Sequence, residues 1–234
     1  MADSNSPRHV VVTGAAGALG RAVAQHFLDE GARLALVDHS QERLSEAFPG
    51  LDNSRHLLLQ ADVRSADGMR VAHAQILDTL SQVDVLVHVA GGFEMGETVD
   101  TLSREAWERM LELNAWSFVA VAQPLVARMR ARRSGKVVAV TAQSAARGAA
   151  GVSAYIASKS ALQRLVESMA AEVKAEGINV NSVAPTILDT PANRQAMPDA
   201  DPTQWVSTAV AAQTIGFLAS PAAVALHGQH LVLG

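Results

Sequence analysis

Seven short apolar runs alternate along the chain with longer segments in which apolar residues recur at helical spacing. The runs have the length of β-strands and cover residues 9–14, 33–38, 56–60, 83–92, 136–142, 178–185 and 229–234. The helical segments lie near 18–30, 41–47, 66–81, 103–132, 152–176 and 203–219. Strands that alternate with helices in this way predict βαβ units and a parallel sheet.

The composition of the strands predicts where the helices lie. Strands that are apolar throughout, without polar residues at every second position, are typical of a parallel sheet covered on both faces. We therefore expect an α/β fold with a doubly wound parallel sheet of about seven strands and helices on both faces. No linker or internal repeat interrupts the pattern, so residues 1–234 are expected to form a single domain.

The longest segment without clear periodicity lies at about 185–204. It begins PTILDTPANRQAMPDADP and holds four prolines within residues 185–202. A loop of this length in a compact domain usually has a function. We interpret it as a lid over a substrate, with a plain surface loop as the alternative.

The composition excludes several classes of protein. Apolar residues make up 49% of the chain, charged residues 18%, and the net charge is −4, which favours a globular protein without a nucleic-acid surface. The basic run RMRARR at 128–133 is expected to be a solvated helix end. No apolar stretch reaches the ~18 residues of a membrane span, so no membrane partner is expected.

The counts of metal-binding and redox-active residues exclude further chemistry. The chain has no cysteine, which excludes disulfides and thiolate catalysis and fits a cytoplasmic location. Its eight histidines are scattered without ligand spacing, so no metal site is expected.

A glycine-rich turn, TGAAGALG at 13–20, follows the first strand and opens the first helix. Gly14, Gly17 and Gly20 would let the backbone approach a pyrophosphate at the positive end of the helix. This context favours a dinucleotide site, although such a turn can also be a plain connection.

Two acidic residues end the strands that follow. Asp38 stands where a carboxylate accepts hydrogen bonds from the adenosine ribose and repels a 2′-phosphate, which favours NADH over NADPH. The next residues, His39 and Ser40, include no arginine that would compensate a phosphate. Asp62 could face the adenine amino group or cap the end of its strand.

Tyr155 and Lys159 lie one helical turn apart in SAYIASKSAL, on one face of a predicted helix. With the glycine turn, Asp38, AGG at 90–92, Asn114 and NVNSVAP, they make the chain resemble the short-chain dehydrogenase/reductase family over nearly its whole length.

The resemblance implies an oxidoreductase that transfers hydride between a nicotinamide cofactor and a small-molecule carbonyl or imine-like substrate. Tyr155 would be the general acid/base, Lys159 would bind the nicotinamide ribose and lower the tyrosine pKa, and Asn114 would hold a water of the proton relay. Asparagine is unfavourable within a helix, which supports a functional placement. The resemblance also implies cofactor contacts at Gly14, Ala15, Gly17, Leu19, Asp38, Asp62, Val63, Ala90, Gly91, Tyr155, Lys159, Asn181, Pro185, Ile187 and Thr190.

One catalytic position departs from the family pattern. The family's serine, 13 residues before the tyrosine, is Ala142 here. Loss of one preorganised donor commonly costs ~10²–10³ in rate. Ser144 would face the same side as Ala142 in an extended chain and could replace the serine; Gln143 is a second candidate, and a turn residue or helix cap is the alternative for Ser144.

Part of the chain resembles the dihydropteridine reductase subgroup more closely. The shared features are GALG, VAGG, the alanine at 142 and LDTPANRQAMPDAD at 188–201. Members of that subgroup use NADH to reduce a quinonoid dihydropterin, an activated ring that needs less polarisation than a ketone. Phe93 could stack on such a ring or pack within the lid, whereas Asn114 is more typical of the wider family.

Three functions therefore stay open from the sequence. They are a carbonyl reductase or alcohol dehydrogenase, a dihydropterin reductase, and a non-catalytic dinucleotide sensor. The family resemblance further implies a homo-oligomer, a dimer or tetramer, assembled through the helices at 103–132 and 152–176.

Overall fold

A central parallel sheet of seven strands organises the computed structural model, which describes residues 7–234. The strands are β1 His9–Thr13, β2 Arg33–Asp38, β3 Leu57–Gln60, β4 Val85–His88, β5 Gly135–Val140, β6 Ile178–Pro185 and β9 His230–Leu233. Their order is β3-β2-β1-β4-β5-β6-β9, and the two short strands β7 Leu188–Asp189 and β8 Val206–Ser207 form a separate pair. All seven predicted strands are therefore present, and the doubly wound fold is confirmed. The fourth strand is shorter than expected because the chain leaves the sheet after His88 and continues into the glycines at 91–92.

Helices cover both faces of this sheet. They are α1 Ala18–Asp29, α2 Gln41–Ala47, α3 Ala66–Leu80, α4 Arg104–Leu111, α5 Ser117–Arg132, α6 Ser153–Val173, α7 Pro191–Ala196 and α8 Thr208–Leu218. Alternate residues of β1 enter two different apolar cores: Val11 packs with α3, α5 and α6, and Val10 and Val12 pack with α1 and α8. Burial on both sides explains why the strands are apolar throughout.

The strand order reverses between β1 and β4. β1 pairs with β2 on one side and with β4 on the other, and Thr13 lies opposite His88 at the carboxyl ends of the central pair. In open α/β sheets a crevice forms outside the carboxyl ends of the strands at this reversal. The fold therefore places a ligand-sized crevice next to the glycine turn.

The predicted helix at 103–132 is one continuous helix with a π-helical turn inside it. The wider turn covers Glu112–Trp116, between α4 and α5, and contains Asn114. Within the 29 residues Arg104–Arg132, an 18-residue window has the mean hydropathy (1.2) of a membrane-crossing helix, but half of that window is buried inside the fold. Phe118 and Leu125 are fully buried in it, as in the core helix of a globular fold.

Two further predictions, for the basic run at 128–133 and for the segment at 185–204, can be compared with the structure. The basic run ends α5 at Arg132, with the exposed Arg133 in the left-handed conformation, as expected for a solvated helix end.

The segment at 185–204 is not a plain loop. It contains the short strand β7 Leu188–Asp189, which pairs with β8 Val206–Ser207, and helix α7. Thr190 caps α7 and Pro191 occupies its first turn, a start signal within the proline-rich segment.

Candidate active site

The glycine turn brings the backbone of β1 close to the chain after β4. Gly14 has φ +66°, and a Cβ built there would lie 2.8 Å from the Ala90 nitrogen. A side chain at this position would therefore collide with backbone, in addition to the strain of the positive φ. This close approach forms one wall of the crevice.

A cleft with a cavity volume of about 700 Å³ runs from this turn over the carboxyl ends of the strands. Nine of the predicted cofactor residues line it: Gly14, Gly17, Leu19, Asp38, Asp62, Val63, Ala90, Gly91 and Thr190. Its size, and the free amide groups at the start of α1, suit a dinucleotide. Residues 7–234 contain no group of three or more histidine, aspartate or glutamate side chains that could hold a metal ion.

Asp38 has the chemistry expected of a ribose ligand. The residue is only 4% exposed, and its Oδ2 accepts a hydrogen bond from the Ala16 nitrogen at 3.0 Å. Among residues 7–234 its buried Oδ1 accepts no well-oriented hydrogen bond, although the exposed His39 has its Nδ1 2.9 Å away. A buried carboxylate oxygen without a well-oriented donor is unfavourable, so a bound hydroxyl group at this point would satisfy it. The cleft therefore fits the adenosine half of a nicotinamide dinucleotide.

The expectation that no arginine stands beside Asp38 is wrong. Arg43 Nη1 lies 3.9 Å from Asp38 Oδ1, and His39 Nδ1 lies 2.9 Å from the same oxygen. Arg43 is five residues along the chain, in the first turn of α2, which folds back over the end of β2. The residues directly after Asp38 in the sequence therefore did not reveal Arg43, which the first turn of α2 brings close to it.

Asp62 lies in the cleft wall with its carboxylate already engaged. Arg64 donates to Asp62 Oδ1 and Oδ2 at 2.9 and 2.8 Å, and these hydrogen bonds are the largest cause of the lowered Asp62 pKa. A contact with an adenine amino group would have to share the carboxylate with this guanidinium. Arg64 itself was not predicted from the sequence.

Tyr155 stands at the start of α6 between Phe93 and Ser144. The Phe93 and Tyr155 rings meet edge to face, with centroids 4.9 Å apart. Burial raises the pKa of the Tyr155 phenol, and a hydrogen bond with the Ser144 side chain opposes that rise. The resemblance implied a lowering of this pKa by Lys159, whereas the phenol pKa in the structure is raised. Burial is the dominant effect, and Ser144 supplies the compensation.

Lys159 is buried one turn after Tyr155. Its Nζ donates to the Val140 carbonyl at 2.9 Å, and burial lowers its pKa to about 8. A Cβ built on Gly91 would lie 3.0 Å from Nζ, so the glycine leaves room for the ammonium at the cleft wall. Lys159 itself does not line the cleft, nor does Tyr155.

Asn114 lies beside this lysine, fully buried in the π-helical turn. Its Oδ1 accepts from the Gly92 nitrogen at 2.9 Å, and its Nδ2 donates to the Gly92 carbonyl and to Ser158 Oγ, both at 3.0 Å. Both N–H donors of the side chain are thereby used. A relay water would have to bind elsewhere on this residue, so the role expected for Asn114 stays a prediction.

The chain between Ala142 and Tyr155 does not stay extended. A 3₁₀ turn covers Gln143–Ala146 and brings Ser144 to the phenol, while Ala142 stays buried. The reason given for Ser144 was therefore wrong, although the residue itself reaches Tyr155. Gln143 is exposed on this turn.

Some predicted residues lie outside the cleft, and some cleft residues were not predicted. Ala15 belongs to the apolar core, and Asn181 is bonded to Leu226 and Gln229. Pro185 and Ile187 do not line the cleft.

Several residues that line the cleft were not predicted as cofactor contacts. They are Ala16, Ala18, Gly20, Arg21, His39, Arg43, Ala61, Arg64, Val89, Leu113, Pro191 and Ala192; of these, Gly20 had been placed in the glycine turn. Arg21 could have been found from its place in the first turn of α1.

The chain matches a known protein family and several known proteins. The family model described as short chain dehydrogenase matches residues 8–201. An NAD-dependent glycerol dehydrogenase of Listeria innocua is 31% identical over 80% of this chain and 72% of its own. A sorbitol dehydrogenase of Cereibacter sphaeroides is 31% identical over 76% and 70%.

Solved structures share the fold. The crystal structure of levodione reductase superimposes with a TM-score of 0.89 at 23% identity, covering 97% of this chain and 95% of the other. NAD⁺-bound xylitol dehydrogenase has a TM-score of 0.89 at 20% identity and covers 99% of both chains. At such identities the likeness concerns the fold alone. The family match and the similar sequences carry the further conclusion that the chain belongs to the short-chain dehydrogenase/reductase family of nicotinamide-dependent oxidoreductases.

Proposed function

We propose that the protein is an NAD(H)-dependent oxidoreductase that interconverts an alcohol and a carbonyl compound, with Tyr155 as the general acid/base. The observation that carries this proposal is the placement of Lys159, one turn after Tyr155 on α6, where the space left by Gly91 brings its Nζ to the cleft wall. Ser144 is the candidate hydroxyl donor beside the phenol, although the family's serine position is Ala142. When bound, the nicotinamide supplies or accepts the hydride.

Residues of the chain itself would transfer the proton and bind the substrate and the cofactor. The raised pKa keeps the Tyr155 phenol protonated at neutral pH, so it can donate its proton to the substrate oxygen during reduction. Ser144 would hydrogen-bond that oxygen. Lys159 and Thr190 would hold the nicotinamide half of the cofactor, Asn114 would hold the loop at Gly92, and Asp38 would bind the adenosine ribose.

NADH is proposed over NADPH because the Asp38 carboxylate would repel a 2′-phosphate. The NAD-dependent relative from Listeria supports the same preference. Polyol dehydrogenases among the relatives support a hydroxylated or carbonyl substrate of low molecular weight.

A dihydropterin substrate is the second candidate, and Phe93 is the observation that favours it. Its ring packs edge to face on Tyr155, yet the residue is 59% exposed, so an aromatic surface faces the solvent beside the phenol. A flat ring could stack there. The nearby Ser144 weakens the argument that Ala142 requires an activated substrate.

The test is NADH oxidation by the purified protein with glyceraldehyde, a small diketone and chemically generated quinonoid dihydropterin. Tyr155→Phe should lower the rate with the accepted substrate ~10²–10⁴-fold. Preference for the carbonyl compounds supports the first function, and turnover of the pterin alone supports the second. NADH binding without turnover of any of them would contradict both and favour a sensor.

We also propose that the protein forms a homo-oligomer through α4, α5 and α6. Trp107 is 38% exposed and Trp116 is 52% exposed on the helix formed by α4 and α5. Exposed aromatic side chains on a helix surface are typical of interfaces. Light scattering after size exclusion should give a mass of at least twice 24.6 kDa, and a Trp116→Lys variant should shift it towards the monomer.

A further inference from the structure

His88, at the carboxyl end of β4, is a fully buried histidine for which the proposed chemistry has no role. It lies between the glycine turn at 13–20, which lines the cofactor cleft, and the π-helical turn Glu112–Trp116. Its Nδ1 is 3.0 Å from Thr13 Oγ1, and its Nε2 is 3.2 Å from Ser117 Oγ. Each ring nitrogen therefore has one hydroxyl partner.

The partners of the two hydroxyl groups determine the direction of each hydrogen bond. Thr13 Oγ1 accepts from the Ala90 nitrogen at 3.3 Å, which leaves its own proton for His88 Nδ1. Ser117 Oγ donates to the Leu113 carbonyl at 2.6 Å, so it must accept from His88 Nε2. A neutral ring protonated on Nε2 satisfies every partner, whereas a proton on Nδ1 would leave the Thr13 hydroxyl without an acceptor.

The surroundings favour the same neutral ring. Burial lowers the His88 pKa to about 3, with a smaller contribution from the Lys159 ammonium on α6. The ring also meets Phe118 of α5 edge to face at 5.7 Å. Thr13 and Ser117 present only hydroxyl groups, and no carboxylate contributes to the pKa.

The two ends of this chain of hydrogen bonds belong to the cleft. Ala90 and Leu113 both line it, and Thr13 directly precedes the lining residue Gly14. We propose that His88, as the Nε2–H tautomer, is a positioning residue that fixes the glycine turn and the Ala90 segment relative to Leu113 and so sets the shape of the cofactor cleft. This inference rests on the proposed use of this cleft for NAD(H), and not on any one substrate.

The binding test uses NADH alone, with affinity measured by protein fluorescence. His88→Leu should raise the NADH dissociation constant about tenfold, and Ser117→Ala should raise it by a smaller factor. In the His88→Leu background, Ser117→Ala should have no further effect, because the connection is already broken. His73→Leu is the matched control, since His73 is also buried, and within residues 7–234 its side chain bonds the Val121 carbonyl, between α3 and α5 and away from the cleft.

Equal NADH affinity of wild type and a folded His88→Leu variant would overturn the inference. So would an effect of His73→Leu as large as that of His88→Leu. If the wild type itself binds no NADH, the proposed cofactor fails, which is a different result.

A second measurement on the wild-type protein covers the case in which the variants do not fold. The ¹⁵N chemical shifts of the imidazole nitrogens distinguish the two neutral tautomers and the charged ring. His88, assigned in the wild type by nuclear Overhauser contacts between its ring and the Phe118 ring, should be the Nε2–H tautomer and stay so from pH 8 to pH 5. The Nδ1–H tautomer, or a charged ring at pH 6, would overturn the inference.

Discussion

The side-chain amide of Asn114 forms two hydrogen bonds with the backbone of one residue, Gly92. It accepts from the Gly92 nitrogen and donates to the Gly92 carbonyl, at 2.9 and 3.0 Å. The amide thus replaces a neighbouring strand for the segment that has left the sheet after β4. The π-helical turn explains how a residue unfavourable in a helix is placed there.

Asn114→Ala should therefore affect stability as well as activity. It removes the partner of both Gly92 backbone groups, while Ser158 Oγ keeps its bond to the Tyr155 carbonyl, and each polar group left without a partner costs ~1–3 kcal/mol if water cannot reach it. Gly92 is half-buried, so we expect the free energy of unfolding to fall by about 2 kcal/mol in urea denaturation. Gln123→Ala, an exposed position on α5, is the control and should change it by less than about 0.5 kcal/mol. Equal losses in the two variants would refute the structural role.

Ser144 offers a test in both directions. Ser144→Ala should lower kcat about 10²-fold with the accepted carbonyl substrate, because one preorganised donor is lost. Ala142→Ser in that background should restore part of the rate, since it returns a hydroxyl to the family's position. The change is read from steady-state kinetics at saturating NADH. A larger loss in Gln143→Ala than in Ser144→Ala would assign the donor to Gln143 instead.

The sequence allowed the fold and nine of the 21 residues that line the cleft to be predicted, because these depend on local patterns. Continuous apolar strands, helical spacing and a glycine turn are all visible in short windows. The contacts of Arg43 with Asp38 and of Ser144 with Tyr155 depend on how a helix or a 3₁₀ turn folds back, which residue spacing does not reveal. The raised Tyr155 pKa depends on burial, a property of the assembled domain.

Lys159 should make stability depend on pH in the alkaline range. Its pKa is about 8 in the folded protein and 10.5 as an ordinary lysine, so between these values the unfolded chain binds more protons. Stability from this group therefore rises with pH across that window. From pH 7 to pH 10 the free energy of unfolding of wild type should gain about 2–3 kcal/mol relative to Lys159→Met. A pH-independent difference between the two proteins would show that the buried amine keeps its ordinary pKa.

The surroundings of Asp38 predict how cofactor preference can be changed. Asp38→Ser removes the carboxylate proposed to bind the ribose, so NADH should bind about tenfold more weakly. The same change frees Arg43, whose guanidinium lies 3.9 Å from the carboxylate, to pair with a 2′-phosphate. NADPH should therefore bind more tightly to Asp38→Ser than to wild type, as measured by fluorescence titration with each cofactor.

Arg43 can be separated from its neighbours by a second substitution. Asp38→Ser combined with Arg43→Ala should lose the gain in NADPH affinity while NADH binding stays at the level of Asp38→Ser. Arg64 is the matched comparison, because it also lines the cleft but is already paired with Asp62. Arg64→Ala in the Asp38→Ser background should therefore keep most of the gain in NADPH affinity.

If Arg64→Ala abolishes this gain and Arg43→Ala does not, the phosphate is bound on the Asp62 side of the cleft. Tighter binding of NADPH than of NADH by the wild type would contradict the assigned role of Asp38 altogether.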